Sequence, residues 1–166
     1  MKIIVICTGN TCRSQIAEGL LKKKYIDAEI YSAGTNPELH VNPYAVKAMF
    51  EEGYDISKHY PKLVNDFINQ EFDYVLTVCD SAEESCPIFP NAKNRIHNSF
   101  VDPSRASYSS EEHALEIYRE TVKDIAKHID NPEKVEELLN IFEDRKKEPI
   151  DYRRNGVITC LLYTSD

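Results

Sequence analysis

The sequence has neither a surplus of basic residues nor a long hydrophobic run. Its 166 residues include 28 acidic and 20 basic side chains, which gives a formal net charge of −8. Nucleic acids and anionic membrane surfaces are generally bound through a basic face, so we expect neither as a partner. No apolar run approaches the roughly 20 residues that span a bilayer, and the first ten residues lack the pattern of a secretory leader. We therefore expect a cytoplasmic protein.

Cysteine pairs with zinc-site spacing are also lacking. The chain has five cysteines and five histidines, but it contains no C-x2-C pair and no convergent spacing of histidines. We expect neither a metal site nor a bound cofactor. In a protein without a leader, free, catalytic or redox-active thiols are more common than a disulfide framework. The positions of the cysteines should therefore carry function.

Short β-rich runs alternate along the chain with stretches of helical periodicity. Apolar runs predict strands at 2–7, 28–34, 72–79 and 94–100. Strands separated by helices are typical of an α/β fold with a mainly parallel sheet. The core is large enough for one domain, and no internal repeat or linker divides it.

Helices are predicted between these strands. One begins near Ser14, and a second covers 42–53, with Asn42 as N-cap and Gly53 as a left-handed C-cap. A short helix should follow Pro61, with inward positions Leu63, Val64, Phe67 and Ile68. The last helix should begin at a capping box formed by Ser109 and Glu112. It should bury one apolar face, which consists of Leu115, Tyr118, Val122, Ile125 and Ile129.

The segment CTGNTCRS, residues 7–14, follows the first strand directly. Ligands of α/β sheets bind beyond the carboxyl ends of strands, and backbone N–H groups of a loop that enters a helix can surround an oxyanion. We expect this cradle to consist of Thr8, Gly9, Asn10, Thr11, Cys12 and Arg13. The Arg13 fork can hold two anion oxygens, while the helix N-terminus and Arg13 should lower the pKa of Cys7. Ser14 can donate to the sulfur, so the loop should bind an oxyanion and attack its central atom.

This Cys-x5-Arg-Ser pattern resembles the phosphate loop of low-molecular-weight protein tyrosine phosphatases and of the thioredoxin-coupled arsenate reductases that share their fold. Gln15 stands where the phosphatases usually have proline, and the continuation SQIAEG is similar to the reductase branch. The resemblance extends over about residues 1–130. It implies a three-layer α/β sandwich around a four-stranded parallel sheet.

Two further cysteines distinguish the branches. A phosphatase needs one nucleophilic cysteine, whereas a reductase needs thiols that accept the oxidising equivalent. The stretch LTVCDSAEESCPIFP, residues 76–90, supplies Cys79 and Cys86 and resembles the redox segment of the reductases. The resemblance implies that Cys7 attacks arsenate and that Cys79 then forms a disulfide with Cys7. It also implies that Cys86 next attacks Cys79, which gives a Cys79–Cys86 disulfide that thioredoxin reduces. Residues 80–86 must rearrange for this step. Cys12 is expected to pack.

The resemblance also implies a general acid at Asp102, in the sequence VDPS. Ser104 replaces the tyrosine that phosphatases usually carry after this proline, which favours a small inorganic oxyanion. Some reductases have a cation site at positions that match Asn10, Glu18 and Ser32. Lys62 stands at the remaining acidic position, and its ammonium can take the place of the cation, so we expect little dependence on potassium.

We thus expect a monomeric arsenate reductase, with thioredoxin as reductant and with side activity as a phosphatase. Two alternatives remain: a phosphatase that hydrolyses phosphotyrosine or small aryl phosphates through Cys7, and a non-enzymatic thiol redox sensor. Residues 1–130 should form the domain and 131–166 a C-terminal extension. Its final CLLYTSD matches one translation of a sequencing adapter, so we hypothesise that part of it, including Cys160, is non-native. Genomic sequence beyond codon 159 tests this.

Overall fold

A four-stranded parallel sheet forms the centre of the protein. The computed structural model describes residues 1–131. The strands are β1 (Lys2–Cys7), β2 (Glu29–Gly34), β3 (Phe72–Thr77) and β4 (Ala92–His97), in the spatial order β2-β1-β3-β4. Both neighbours of β1 run parallel to it, and so does β4 beside β3. The predicted α/β class and four-stranded parallel sheet are confirmed.

The sequence of β1 explains its central place in this sheet. Residues Ile3 to Cys7 are all buried, as expected for a parallel strand covered on both faces. In contrast, β4 lies at the sheet edge, alternates half-buried and exposed positions, and carries Lys93 and Arg95 on exposed ones. Charged side chains on an edge strand oppose edge-to-edge pairing with other chains.

Within residues 1–131, four α-helices accompany the sheet: α1 (Arg13–Lys24), α2 (Pro43–Glu51), α3 (Asp80–Ser85) and α4 (Glu111–Asp130). Asn42 caps α2 by accepting a hydrogen bond from the backbone N–H of Tyr44 at 2.9 Å. Gly53, just beyond the helix, has a φ of 81°, as predicted. The face of α4 that was predicted to be apolar is buried at Leu115, Tyr118, Val122 and Ile125, and Ile129 is half-buried.

Three local predictions were wrong. The short helix after Pro61 is a single 3₁₀ turn, Val64–Asp66, and Leu63 is 39% exposed rather than inward. Ser110, not Ser109, caps α4, because its hydroxyl accepts from the backbone N–H of His113 at 3.1 Å. Ser109 instead contacts the His113 ring. The segment after Pro61 is too short for its periodicity to distinguish a single turn from a helix or to fix its buried face. The cap is shifted because two adjacent serines can each serve as the N-cap residue.

The helix α3 was not predicted, since its sequence DSAEES is polar and too short to show a period. Residues Met1–Ile129 form one compact unit. The predicted extension 131–166, with Cys160, lies beyond the described residues except for Asn131. Within residues 1–131, no helix is both long enough and apolar enough to cross a bilayer.

Candidate active site

A polar cavity of about 700 Å³ opens at the carboxyl edge of the sheet. The loop after β1 lies on one side of it, the start of α3 on a second, and the segment 99–105 on a third. Predicted site residues on its wall are Cys7, Thr8, Gly9, Thr11, Cys12, Arg13, Cys79 and Asp102. The topology brings them together because β1 and β3 are adjacent and parallel, so that both strands end at the same edge.

The Cys7 sulfur lies in a nest of donors. The backbone N–H of Asn10 donates to Sγ at 3.1 Å, and Ser14 Oγ lies 2.9 Å from it. The Asn10 side-chain amide donates to Ser14 Oγ at 2.7 Å. Because that oxygen already accepts from Asn10, its own proton is available to the sulfur. The loop therefore presents Cys7 with two donors, which is the arrangement that a thiolate needs.

The predicted lowering of the Cys7 pKa is nevertheless wrong. Cys7 is only 3% exposed, and burial raises its pKa more than the hydrogen bonds from Ser14 and Asn10 lower it. The expected contribution of Arg13 is missing because its guanidinium is directed at Asp102 instead. The sulfur is consequently a thiol that must lose its proton during the reaction.

Arg13 and Asp102 form an ion pair across the mouth of the loop. Arg13 Nη2 lies 2.7 Å from Asp102 Oδ2, and Nη1 donates to the carbonyl oxygen of Phe100 at 3.0 Å. The other carboxylate oxygen of Asp102 accepts from the backbone N–H and hydroxyl of Ser104 at 3.0 and 2.7 Å. Asp102 is thus fixed by both of its oxygens, and Arg13 is tied to the segment that carries it. Both residues were expected at the site from the sequence, but their contact was not.

Asn10 stabilises the loop through its backbone conformation and its side-chain hydrogen bonds. Its φ of 51° lies in the left-handed region, which costs about 1 kcal/mol for a residue other than glycine. Its side-chain amide also donates to Ser32 Oγ at 2.9 Å and accepts from the backbone N–H of Lys62 at 2.8 Å. Ser32 in turn donates to Glu18. A continuous chain of hydrogen bonds thus joins the Glu18 carboxylate to the Cys7 sulfur.

Glu18 is a buried carboxylate held by two lysines. Its oxygens lie 2.5 Å from Lys22 Nζ and 3.5 Å from Lys62 Nζ. Burial alone would raise the pKa of Glu18, but the contacts with Lys22, Ser32 and Lys62 together hold it below its usual value. Burial lowers the pKa of the Lys62 ammonium, and the adjacent carboxylate opposes that shift.

The Glu18→Gln substitution should destabilise the fold in a pH-dependent way. A glutamate in an unfolded chain titrates near about 4.3. Because the folded-state pKa of Glu18 is lower, its contribution is complete above that pH and is lost as the pH falls through the folded-state value. We expect the substitution to lower the free energy of unfolding by about 3 kcal/mol at pH 7 and by much less at pH 3. Urea unfolding at both pH values measures this.

Glu29→Gln is the matched control for that experiment. Glu29 is exposed and lies 3.9 Å from Lys2, so its loss should change stability by less than about 1 kcal/mol at either pH. Equal destabilisation by Glu18→Gln at pH 7 and pH 3 would contradict the prediction.

The position of Lys62 also bears on the potassium prediction. Its ammonium contacts Glu18, one of the residues at the candidate cation positions, and its backbone N–H contacts Asn10, another. We expect the same rate of arsenate turnover in potassium and sodium salts at equal ionic strength. A large rise in catalytic efficiency with potassium alone would show that a cation displaces the lysine.

The second and third thiols lie at the two ends of α3. Cys79 is the N-cap residue, 5% exposed, and its Sγ lies 3.4 Å from Thr8 Oγ1 in the loop. Cys86 is the C-cap residue and is half-buried. Burial raises the pKa of Cys86, while the charge of Arg95 opposes that shift. Cys7, Cys12, Cys79 and Cys86 are all free thiols.

Cys12 differs from the other thiols in its surroundings. It is 5% exposed, and burial, reinforced by the neighbouring Cys7, raises its pKa well above the usual value. Such an inert, buried thiol agrees with the expectation that Cys12 packs. Its backbone belongs to the loop.

Two residues that sequence analysis did not assign to the site also shape it. Glu38 lines the cavity, and its backbone N–H donates to the carbonyl oxygen of Gly9 at 3.0 Å. Gln15 is fully buried and donates to the carbonyl oxygens of Asn10 and Tyr60 at 3.0 and 3.1 Å. The sequence identifies Gln15 only as a departure from the phosphatase pattern. Its hydrogen-bonding role could not be predicted, because it depends on Tyr60, which lies far along the chain.

Comparison with solved structures shows that the fold is shared with known proteins. "An arsenate reductase in the phosphate binding state" superposes with a TM-score of 0.67 at 24% identity, covering 84% of this chain and 98% of that one. The "YwlE arginine phosphatase from Geobacillus stearothermophilus" gives a TM-score of 0.63 at 23% identity, covering 90% and 98%. At this level of identity the likeness concerns the fold.

Sequence comparison gives closer relatives. An arsenate reductase of Halalkalibacterium halodurans is 44% identical over 130 residues, which cover 76% of this chain and 91% of the relative. An arsenate reductase of Bacillus subtilis is 45% identical over 112 residues, covering 66% and 79%. Residues 2–140 match the family described as low molecular weight phosphotyrosine protein phosphatase. The resemblance predicted from the phosphate loop is therefore confirmed, and the chain belongs to the low molecular weight phosphotyrosine protein phosphatase family.

Proposed function

We propose that the protein is an enzyme that reduces arsenate to arsenite through Cys7, Cys79 and Cys86, with thioredoxin as the reductant. One observation carries the proposal: Cys79 lines the same cavity as Cys7 and contacts the phosphate loop, while Cys86 lies one short helix away. A phosphatase needs no second thiol at this place. The arsenate reductases among its relatives support the same reaction.

In the first step, arsenate binds in the loop and Cys7 attacks arsenic. The backbone N–H groups from Thr8 to Arg13 and the Arg13 guanidinium hold the oxygens. The S–As bond forms as one As–O bond breaks, and HAsO4²⁻ with the Cys7 thiol gives a thioarsenate adduct and water. Asp102, which lies beside Arg13, accepts the proton of the Cys7 thiol and passes it to the departing oxygen, which leaves as water.

In the second step, Cys79 attacks the Cys7 sulfur. The S–S bond forms and the electron pair of the S–As bond goes to arsenic, which is reduced from As(V) to As(III). Arsenite leaves with the Cys79 proton. The proximity of the two thiols at one cavity wall favours this intramolecular exchange over attack by an external thiol.

In the third step, Cys86 attacks the Cys79 sulfur of the Cys7–Cys79 disulfide. This exchange restores the Cys7 thiol and leaves a Cys79–Cys86 disulfide, which a dithiol protein such as thioredoxin can reduce. The two cysteines flank a six-residue helix. At about 1.5 Å per residue, their Cα atoms are farther apart than the roughly 7 Å that a disulfide allows. The helix α3 must therefore unwind.

Hydrolysis of phosphate esters is a secondary activity of the same site. Phosphate has the tetrahedral shape and charge of arsenate, and ester cleavage requires Cys7, Arg13 and Asp102 but neither Cys79 nor Cys86. The cavity wall is polar and carries two acidic residues, Glu38 and Asp80, in addition to Arg13. We therefore expect slow hydrolysis of small aryl phosphates. We also expect a monomer in the cytoplasm.

The test is NADPH consumption on addition of arsenate to the protein with thioredoxin and thioredoxin reductase, beside an aryl phosphate assay. Rapid consumption with slow ester cleavage supports the reductase. Brisk ester cleavage without arsenate turnover would make the protein a phosphatase. Disulfide formation between Cys79 and Cys86 without either activity would favour the redox sensor.

A further inference from the structure

The histidine at the end of β4 lies between two carboxylates of α3. His97 Nδ1 is 2.9 Å from Glu83 Oε2, and Nε2 is 3.2 Å from Asp80 Oδ1. Both carboxylates belong to the helix that separates Cys79 from Cys86. Asp80 also lines the oxyanion cavity, whereas Glu83 and His97 lie outside it.

Two carboxylates thus face the same imidazole ring. A ring nitrogen forms a hydrogen bond with a carboxylate only as an N–H donor, and a neutral imidazole has one such donor. Here the two ring nitrogens face one carboxylate each, so both contacts are satisfied when His97 is protonated. The hydroxyl of Thr77 on β3 also lies 2.9 Å from Nδ1, where it can share that proton.

A second side chain of β4 strengthens the attachment. Arg95, two residues before His97 on the same face of the strand, donates from Nη2 to the carbonyl oxygen of Glu83 at 3.1 Å. Apart from the buried Ala82, the helix exposes its side chains. A six-residue helix with so little apolar burial has little intrinsic stability. Its closed form therefore depends on contacts with β4.

We propose that His97 is a positioning residue for the second disulfide exchange, and that its contacts with Asp80 and Glu83 hold α3 closed until Cys86 is needed. The inference rests on the proposed function. When one of these two contacts is lost, α3 opens more readily. Cys86 can then attack Cys79 of the Cys7–Cys79 disulfide, with release of the Cys7 thiol.

The His97 ring is faced from three elements. Asp80 and Glu83 face it from α3, the uncharged Thr77 faces it from β3, and Arg95 lies beside it on β4. The contacts of His97 with Asp80 and Glu83 form a clamp on α3, and removal of either carboxylate should weaken this clamp.

The first test is hydrogen exchange of the α3 amides in the reduced protein, corrected for intrinsic exchange. Glu83→Gln removes one carboxylate from the clamp. Glu84→Gln is the matched control, since Glu84 lies on the same helix and its side chain has no hydrogen bond or ion pair within residues 1–131. Glu83→Gln should raise α3 opening about two- to fivefold, whereas Glu84→Gln should match the wild type.

The second test is the rate of disulfide transfer in a single turnover with arsenate, followed by acid quenching, alkylation and peptide mass spectrometry. Glu83→Gln should form the Cys79–Cys86 disulfide about two- to fivefold faster than Glu84→Gln. Identical rates of disulfide transfer in the two variants, or equal α3 opening, would overturn the clamp. Absence of arsenate turnover in the wild type would instead count against the proposed function.

Discussion

Replacing Cys86 with serine should stop arsenate turnover after a single Cys7–Cys79 disulfide has formed. Serine cannot attack that disulfide, and the buried Cys79 sulfur, 5% exposed, is poorly accessible to thioredoxin. Replacing Cys79 should stop the reaction one step earlier, with the thioarsenate adduct on Cys7. Both substitutions should reduce steady-state NADPH consumption to the background rate, since each step of the relay requires a thiol.

Mass spectrometry of the quenched proteins separates the two cases. The Cys86→Ser variant should release one arsenite per protein and carry a Cys7–Cys79 disulfide, while the Cys79→Ser variant should release none. Both should retain aryl phosphate hydrolysis, because ester cleavage uses Cys7, Arg13 and Asp102. Sustained arsenate turnover in either variant would contradict the relay. Parallel loss of ester hydrolysis would indicate that the substitution has damaged the loop.

Replacing Arg13 with lysine should lower kcat/KM at least about 100-fold for both arsenate and aryl phosphates. Loss of one preorganised donor to a developing charge typically costs about 3 kcal/mol, and a lysine offers a point charge in place of the planar fork. The substitution also removes the 2.7 Å contact that ties Arg13 to Asp102. The proton donor and the anion-binding group are thus disturbed together.

Arg105→Lys is the matched control for Arg13. Arg105 lines the same cavity and lies 3.8 Å from the same carboxylate oxygen, but its side chain is 81% exposed. A contact of this kind contributes little, so kcat/KM should change less than about threefold. Steady-state kinetics of both variants with both substrates make the comparison. Equal effects of the two substitutions would mean that the guanidinium fork of Arg13 has no special role.

The local features of the site could be predicted from sequence because they are encoded locally. The buried run of β1 and the loop that follows it are contiguous, so the position of Cys7 at a sheet edge follows from the pattern alone. The adjacency of Cys79 follows from one additional inference, namely that β3 is parallel to β1. Asp102 was identified by resemblance, since an Asp-Pro pair by itself indicates only a turn.

The features that sequence analysis missed depend on contacts between distant residues. The helix α3 is short and polar, and it contacts β4 through side chains that are distant in sequence. The pKa of Cys7 depends on how deeply the sulfur is buried and on where Arg13 points, and Phe100 and Asp102, almost ninety residues away, determine the latter. The position of His97 between two carboxylates likewise depends on the register of β4 beside β3.

The loop also has a consequence for protein engineering, because its shape is maintained from outside its own eight residues. Gly34 at the end of β2 approaches so closely that a Cβ there would lie 2.5 Å from the carbonyl oxygen of Thr8. The left-handed Asn10 depends on Ser32 and Lys62, which lie on other segments. Grafting residues 7–14 alone onto another strand-to-helix junction should give a flexible, inactive turn. The segments that must be transferred together are discontinuous in sequence and include β2 and the Lys62 backbone.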